Sequence, residues 1–237
     1  MSIEQRESVD GSLTLFNTQY QESYHNLADG AKTETLLKHI MPPIWCQNLL
    51  ERDKICILDM CFGLGYNTFW TIWKYLSLNY QGKIEIFSPE KDKALVEALL
   101  CFPYPQELMV LDGVPIQEIL KSLQSKGEFE HRQWRVEVFW GDACQYVHFF
   151  QKQSFDIIYQ DAFSPAKNPE LWSAEYFQQI SSLLKDDGVI TTYSQKASVR
   201  DILKQLNLYV YEIKHQGIRN SRIISKTPLD YEFLHQK

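Results

Sequence analysis

The sequence contains no long hydrophobic run, because no apolar stretch approaches the roughly 18 residues that a membrane-spanning helix needs. Its first residues also lack the basic and apolar pattern of a secretory leader. The five cysteines are odd in number and form no C-x-x-C pair, which argues for reduced thiols rather than a disulfide framework. These absences predict a cytoplasmic protein that does not enter a membrane.

Metal-ligand spacing is also absent. The six histidines are scattered along the chain, so we interpret them as surface or capping residues and predict no metal site. They are His25, His39, His131, His148, His215 and His235.

Positive charge is scarce: 24 Lys and Arg stand against 30 Asp and Glu, a net charge of -6. This balance opposes nonspecific binding to a polyanion, so any binding of nucleic acid would have to be local. Several late basic residues could form such a local surface, although each could also be an ordinary solvated side chain. They are Lys167, Lys196, Arg200, Lys214, Arg219, Arg222 and Lys226.

What the chain does contain is an alternation of short apolar strands with helical stretches, which is typical of one α/β unit. Parallel strands are predicted at 55–60, 83–90, 136–140, 155–159 and 189–193, and an antiparallel pair at 209–213 and 222–226. We divide the chain into an N-terminal extension or lid (1–50), a main domain (51–226) with an insertion at about 102–134, and a tail (227–237).

The first strand ends in a glycine turn, Asp59-Met-Cys-Phe-Gly-Leu-Gly-Tyr-Asn-Thr68. Gly63 and Gly65 permit positive φ and close approach of a ligand to the backbone. A third glycine, which the nicotinamide fingerprint requires, is replaced by Thr68. Asp59 would repel a pyrophosphate but suits a cationic amino group.

Three further strands also end on an acid, namely Glu90, Asp142 and Asp161. A single acid at a strand end is often only a helix cap. Four such acids at one edge of a doubly wound sheet favour a ligand that carries an amine, a ribose diol and an adenine amino group but no phosphate. S-adenosylmethionine has these parts.

The last of these acids begins a stiff loop at 161–172, which contains two prolines within nine residues. We interpret Asp161 as a group that orients an amine and stabilises positive charge, and only secondarily as a base. The alternative is that it merely caps the following helix. Phe163 and Trp172 could stack on a substrate base or could simply pack against the loop.

These blocks resemble the methyltransferase module of the tRNA-modifying MnmC proteins, which also occurs as a stand-alone, MnmD-like form. Matching positions extend from about residue 10 to residue 226, and the loop at 161–172 is the most specific block. Cys61, Leu64 and Tyr66 depart from the family pattern in the glycine turn. The matching residues are Tyr24, Gly30, Glu34, Asp59, Phe62, Gly63, Gly65, Asn67, Glu90, Lys91, Gly141, Asp142, most of 161–172, and Arg222.

The resemblance implies a class I S-adenosylmethionine-dependent methyltransferase with a Rossmann-like seven-stranded sheet, in which Asp161 is catalytic. The implied cofactor-binding residues are Asp59, Phe62, Gly63, Gly65, Asn67, Glu90, Lys91, Asp142, Ala143 and Asp161. The implied substrate-binding residues are Tyr24, Glu34, Phe163, Pro165, Lys167, Asn168, Trp172 and Arg222.

The implied reaction is N-methylation of the 5-aminomethyl group of wobble uridine in the anticodon stem-loop of tRNA (nm5(s2)U to mnm5(s2)U). The FAD oxidase of two-domain relatives has no counterpart in these 237 residues, so separate enzymes are expected to supply the aminomethyl precursor. Two other hypotheses remain. One is an aminopropyltransferase of the spermidine-synthase type or another small-amine methyltransferase, and the other is noncatalytic binding of a nucleoside or a protein.

Overall fold

The computed structural model describes residues 3–236. The N-terminal region forms a three-stranded antiparallel sheet of β1 (Ile3–Glu7), β2 (Leu13–Asn17) and β3 (Glu22–Ser23). A helical segment follows, in which α1 (Ala31–Glu34) continues through a wide π-helical turn, Thr35–Ile40, into α2 (Met41–Cys46).

From β4 onward, strands and helices alternate along most of the chain, as the sequence predicts, and the elements continue into the segment expected to be a tail. The elements are β4 (Lys54–Met60), α3 (Tyr66–Ser77), β5 (Lys83–Glu90), α4 (Lys93–Leu99), β6 (Val110–Leu111), β7 (Val114–Pro115), α5 (Ile116–Lys126), β8 (Glu128–His131), β9 (Trp134–Trp140), α6 (Ala143–Tyr146), β10 (Phe155–Gln160), α7 (Ala174–Leu183), β11 (Leu184–Thr192), α8 (Ala197–Gln205), β12 (Tyr209–Ile213), β13 (Ser221–Ser225) and β14 (Leu234–Gln236). Short 3-10 turns lie at Leu49–Glu51, Gln106–Leu108, Val147–Phe149 and Pro169–Trp172.

The central sheet has the strand order β14-β12-β13-β11-β10-β4-β5-β9-β8. The five strands from β11 to β9 are parallel, and β13 pairs antiparallel with both β11 and β12. The predicted seven strands therefore gain one further antiparallel strand at each edge. One of these, β14, lies in the segment expected to be a tail, where its backbone pairs with β12.

This topology brings the predicted acids to one edge. In the register, Asp59 lies beside Tyr159, and Glu90 lies beside Trp140. Because the carboxyl ends of parallel strands meet at the same edge of a sheet, the turns after β4, β5, β9 and β10 surround one crevice.

Apolar side chains cover both faces of the sheet and form two large buried clusters. In the insertion, α5 buries Ile116, Ile119, Leu120 and Leu123, whose spacing places them on one helix face. Among residues 3–236, no helix combines the length and the apolar character required to cross a bilayer.

Candidate active site

A cavity of about 860 Å³ opens at the carboxyl ends of the parallel strands. The glycine turn and the strand ends form one of its walls, and residues of the N-terminal region together with the loop at 161–172 form the opposite wall. Of the predicted site residues, those that line it are Tyr24, Glu34, Phe62, Gly63, Asn67, Glu90, Lys91, Asp142, Ala143, Asp161, Phe163 and Asn168.

The glycine turn is tight, because Cys61, Gly63 and Gly65 all have positive φ, at 72°, 53° and 71°. A β-carbon on Gly65 would lie only 2.5 Å from the ring of Phe69, so no side chain fits there. Cys61 takes the left-handed conformation that a glycine would adopt in the family pattern. This conformation costs a non-glycine residue roughly 1–2 kcal/mol, yet the turn forms.

Glu90, at the end of β5, is held by two backbone groups. Its Oε2 accepts a hydrogen bond from the N–H of Gly63 at 2.9 Å, and its Oε1 accepts one from the N–H of Asp92 at 2.8 Å. Burial raises the pKa of Glu90 to about 7. Each oxygen keeps a further acceptor position, which suits a pair of ribose hydroxyls.

Asp142 caps a helix with one of its two carboxylate oxygens, as a strand-end acid often does. Its Oδ1 accepts a hydrogen bond from the N–H of Cys144 at 2.8 Å and so caps α6. Its Oδ2 lies 3.7 Å from Lys91 Nζ, and its side chain is 37% exposed. One carboxylate oxygen therefore remains accessible beside Ala143 on the cavity wall.

Asp59 lies beneath the cavity rather than on its wall, since it is fully buried and absent from the lining. It accepts hydrogen bonds from Thr68 Oγ1 at 2.8 Å and from Asn67 Nδ2 at 3.3 Å. Burial raises the pKa of Asp59 to about 7. The predicted direct contact with a cationic amino group does not fit this position, so we propose that Asp59 acts by holding Asn67.

Asp161 does line the cavity, with 13% of its side chain exposed. Asn67 Nδ2 donates to its Oδ2 at 2.8 Å, and His39 Nε2 lies 3.3 Å from its Oδ1. Burial works against ionisation, but the interactions with His39 and His25 and the hydrogen bond from Asn67 together lower the pKa of Asp161. The structure therefore offers an ionised carboxylate to the cavity.

The interpretation of all six histidines as surface or capping residues is wrong for two of them. His25 is 7% exposed and lines the cavity, where burial lowers its pKa. His39 has no exposed area and contacts Thr191 of β11. No sequence spacing indicates this, because the two hydrogen-bonded residues lie 152 positions apart.

The N-terminal sheet is attached to the loop at 161–172. Glu22 accepts hydrogen bonds from both the N–H and the hydroxyl of Ser164, at 2.9 and 2.7 Å. The ring of Phe163 packs against Tyr20 and Tyr24, with centroid distances of 4.9 and 5.0 Å. The three rings form an aromatic surface at the cavity.

Trp172 packs inside the protein, which was the second of its two predicted roles. It is 3% exposed, donates its indole N–H to Phe163 O at 2.8 Å, and contacts the rings of Phe177 and Tyr193. It cannot stack on a substrate base in this conformation. Two other predicted loop residues lie off the cavity lining: Lys167 is exposed and Pro165 is half-buried.

An ionic cluster joins the N-terminal region to the connection between β12 and β13. The fully buried Lys38 Nζ lies 2.6 Å from Asp29 and 2.8 Å from Glu34. Arg219 Nε donates to Asp29 at 2.9 Å while its side chain stays 57% exposed. Glu34 and Arg219 both line the cavity.

Arg222 does not contribute to a basic surface at the cavity. It is 4% exposed, and its guanidinium donates to the carbonyl oxygens of Gln195 and Lys196, both at 2.9 Å. The predicted substrate contact is incompatible with this buried position, because strand β13 directs the side chain inward.

A glycine turn and strand-end acids around one crevice are typical of an α/β domain that binds a nucleoside-containing ligand at the carboxyl ends of its strands. Residues 111–227 match the family model of the S-adenosyl-L-methionine-dependent methyltransferases. The crystal structure of MnmC2 from Aquifex aeolicus is similar, with a TM-score of 0.81 and 31% identity, over 96% of this chain and 72% of that chain. The chain belongs to this methyltransferase family, and S-adenosyl-L-methionine is its cofactor.

Two further similarities bear on function. The tRNA 5-methylaminomethyl-2-thiouridine biosynthesis bifunctional protein MnmC of Campylobacter fetus subsp. fetus is 26% identical, over 92% of this chain and 34% of that protein. A probable spermidine synthase from Corynebacterium glutamicum has a TM-score of 0.54 at 16% identity, over 96% of this chain and 78% of that chain, a likeness of fold alone. The chain spans about a third to a half of the length of the first curated relatives that it matches. The resemblance to the MnmC methyltransferase module is thus confirmed.

The cavity fits the cofactor. Its volume of about 860 Å³ lies within the range of about 300–1,000 Å³ usual for small-molecule sites. We propose that Glu90 accepts hydrogen bonds from the ribose, that Asp142 and Ala143 face the adenine, and that the backbone at Gly63 approaches the amino-acid part. Within residues 3–236, no three His, Cys, Asp or Glu side chains are grouped as a metal site would require.

Proposed function

We propose that this methyltransferase N-methylates the 5-aminomethyl group of wobble uridine in tRNA (nm5(s2)U to mnm5(s2)U). The observation that carries the proposal is the Asp161 carboxylate, which lines the cavity directly after β10 and keeps 13% of its side chain exposed. An amine that is mostly protonated at neutral pH needs such a group, both to bind and to become a nucleophile.

S-adenosylmethionine supplies a methyl group that its sulfonium makes electrophilic. The chain's own residues must hold the amine nitrogen about 3 Å from that carbon and in line with the bond that breaks. Asp161 provides the orientation, because Asn67 fixes one of its oxygens and His39 lies against the other. Its charge also stabilises the positive charge that remains on the methylated nitrogen.

The wall opposite the cofactor suits a flipped-out base. The rings of Tyr20, Tyr24 and Phe163 lie together at the cavity, and aromatic rings commonly stack on unpaired bases of RNA. The hydrogen bonds between Glu22 and Ser164 hold the N-terminal region against this loop. We therefore propose that residues 1–50 act as a lid that completes the substrate site.

Binding of tRNA must be local, given the net charge of -6. Arg219 is the cation best placed for it, because it lines the cavity while Asp29 accepts hydrogen bonds from its backbone N–H and from its Nε. The name of the Campylobacter relative supports tRNA as the substrate. We place recognition at the anticodon stem-loop, in the cytoplasm where tRNA is modified, and expect other enzymes to make the aminomethyl precursor.

The experiment is a methyl-transfer assay with labelled S-adenosylmethionine and tRNA that carries 5-aminomethyluridine. We expect labelled 5-methylaminomethyluridine among the nucleosides of the digested tRNA. A parallel reaction with putrescine and decarboxylated cofactor tests the aminopropyltransferase alternative, for which the spermidine-synthase likeness supplies only the fold. Transfer to putrescine without transfer to tRNA would overturn the proposal.

A further inference from the structure

His39 is a buried titratable side chain for which the reaction so far has no use. It lies on the π-helical turn, Thr35–Ile40, and its ring is completely buried. Its Nδ1 lies 3.0 Å from Thr191 Oγ1, and its ring packs edge-on against Tyr159. Wide helical turns of this kind occur often at functional sites.

The second nitrogen of His39 faces the carboxylate of Asp161. Its Nε2 lies 3.3 Å from Asp161 Oδ1, and among the described residues this buried nitrogen makes no hydrogen bond of good geometry. A buried nitrogen next to a carboxylate is stabilised when a proton lies between the two. The arrangement is therefore suited to hold a proton that arrives from the cavity.

The other polar groups around His39 come from several elements. Asp161 and Asp59, which both interact electrostatically with His39, lie on the side of β10 and β4. His25 lies on the side of the N-terminal sheet, where burial lowers its pKa. Tyr159 presents a ring edge and Thr191 a hydroxyl.

The two oxygens of Asp161 have different neighbours, because Asn67 donates to Oδ2 while the His39 ring lies against Oδ1. A proton taken from a substrate ammonium would return quickly unless a second group accepted it. His39 is the group in contact with the oxygen that Asn67 leaves free.

We propose that His39 is a positioning residue that acts through Asp161 and accepts the proton lost by the substrate amine. This inference rests on the proposed function. An N–H bond of the substrate ammonium breaks, and its electron pair stays on nitrogen as the lone pair that forms the new N–C bond. The bond between the methyl carbon and sulfur would break as this bond forms, and its electron pair would stay on the cofactor's sulfur. The proton passes to the Asp161 carboxylate and on to His39 Nε2, which leaves an imidazolium beside an ionised carboxylate. It returns to solvent after the product leaves.

The test is a single-turnover assay of His39→Gln on tRNA with 5-aminomethyluridine, at saturating S-adenosylmethionine and at two pH values. At pH 7 we expect the rate to fall by about 100-fold, the usual size of general-base effects. At about pH 9.5 the defect should shrink to about threefold, because an alkylamine with a pKa near that of lysine is then partly neutral in solution.

The matched control is His131→Gln. His131 lies on β8 at the far edge of the sheet, and its Nε2 contacts Asp112 in the turn between β6 and β7. The control should match the wild type at both pH values. Calorimetric titration should show unchanged cofactor affinity in both variants. A defect in His39→Gln of equal size at both pH values would mean that His39 only supports Asp161, and full activity would exclude any role; either result overturns the inference.

Should His39→Gln not fold, Thr191→Val decides the question. It removes the hydroxyl that accepts a hydrogen bond from Nδ1–H when Nε2 is the nitrogen free to accept a proton, and it should slow the reaction several-fold at pH 7 with relief at high pH. A loss without such relief, or no loss, contradicts the proton-accepting role. An inactive wild type would instead overturn the proposed function, so the two failures are distinguishable.

Discussion

The two walls of the cavity differ in how far apart along the sequence their hydrogen-bonded residues lie. On the cofactor side, Glu90 binds the N–H of Gly63, 27 residues away, and Asp142 caps the helix that it begins. On the substrate side, Glu22 binds Ser164 across 142 positions, and Arg219 binds Asp29 across 190. The first wall is made mainly by backbone turns and the second by side chains from distant segments.

This difference has a consequence for mutation. A backbone turn keeps its shape when one side chain at its rim is truncated. Each substitution on the cofactor side should therefore lower the affinity for the cofactor only by the contact that it removes. The substrate side depends on the N-terminal region being packed against the loop at 161–172. Changes there should alter turnover and RNA binding while leaving the cofactor in place.

The largest expected effect is that of Asp161→Asn on turnover. The substitution keeps the size and one acceptor oxygen but removes the charge, so the rate should fall by a factor of about 10 to 1,000, as when a preorganised electrostatic group is lost. Single-turnover kinetics would measure it. Cofactor affinity should barely change, and a variant with full turnover would mean that the amine is held by other groups.

The next effect is that of Glu90→Ala on cofactor binding. It removes one or two hydrogen bonds to a carboxylate, worth roughly 1.5–3 kcal/mol each, so affinity should drop at least about tenfold. Asp142→Ala is the comparison variant and should lose less, because one of its oxygens already caps α6. Calorimetric titration of a folded Glu90→Ala protein with unchanged affinity would remove Glu90 from the site.

The cofactor wall could be predicted from the sequence because its contacts are local. An apolar strand, a glycine turn and an acid at each strand end give the position of Glu90 at the edge of the sheet. Even there, Asp59 was placed wrongly on the wall, since a sequence does not show whether a strand-end side chain points into the crevice or beneath it.

The substrate wall could be predicted only in part. The specific pattern at 161–172 indicated Asp161 and Phe163, but hydrophobicity gave no way to distinguish the buried Trp172 from an exposed stacking ring. His39 was missed as a site residue, and Arg219 was named only as one of several basic residues that could form a local surface. Their partners are set by the way the N-terminal region folds onto β10 and β11, which no local pattern encodes.

A smaller effect concerns the pH dependence of stability, and it tests whether Asp59 lies beneath the wall. Burial raises the pKa of Asp59 from the ordinary aspartate value of 3.8 to about 7, so its contribution to stability is complete at low pH and is lost as pH rises through 7. Asp59→Asn cannot titrate. Relative to wild type, its free energy of unfolding should therefore rise by at least about 1 kcal/mol between about pH 5 and pH 8. Urea titrations without cofactor would measure this, and a pH-independent difference would place Asp59 in contact with water.

The smallest expected effect is that of Arg219→Ala on RNA binding. If Arg219 contacts one phosphate at the mouth of the cavity, its loss should reduce the slope of log affinity against log salt by about 0.7 to 0.9. The matched control is Arg132→Ala, because Arg132 is also more than half exposed and also pairs with an aspartate, but at the turn before β9. Filter binding of tRNA over a salt series would give both slopes, with cofactor affinity unchanged in both variants. Equal slopes for Arg219→Ala and wild type would show that Arg219 only holds Asp29, and the phosphates would then have to be bound by the exposed lysines around the loop at 161–172.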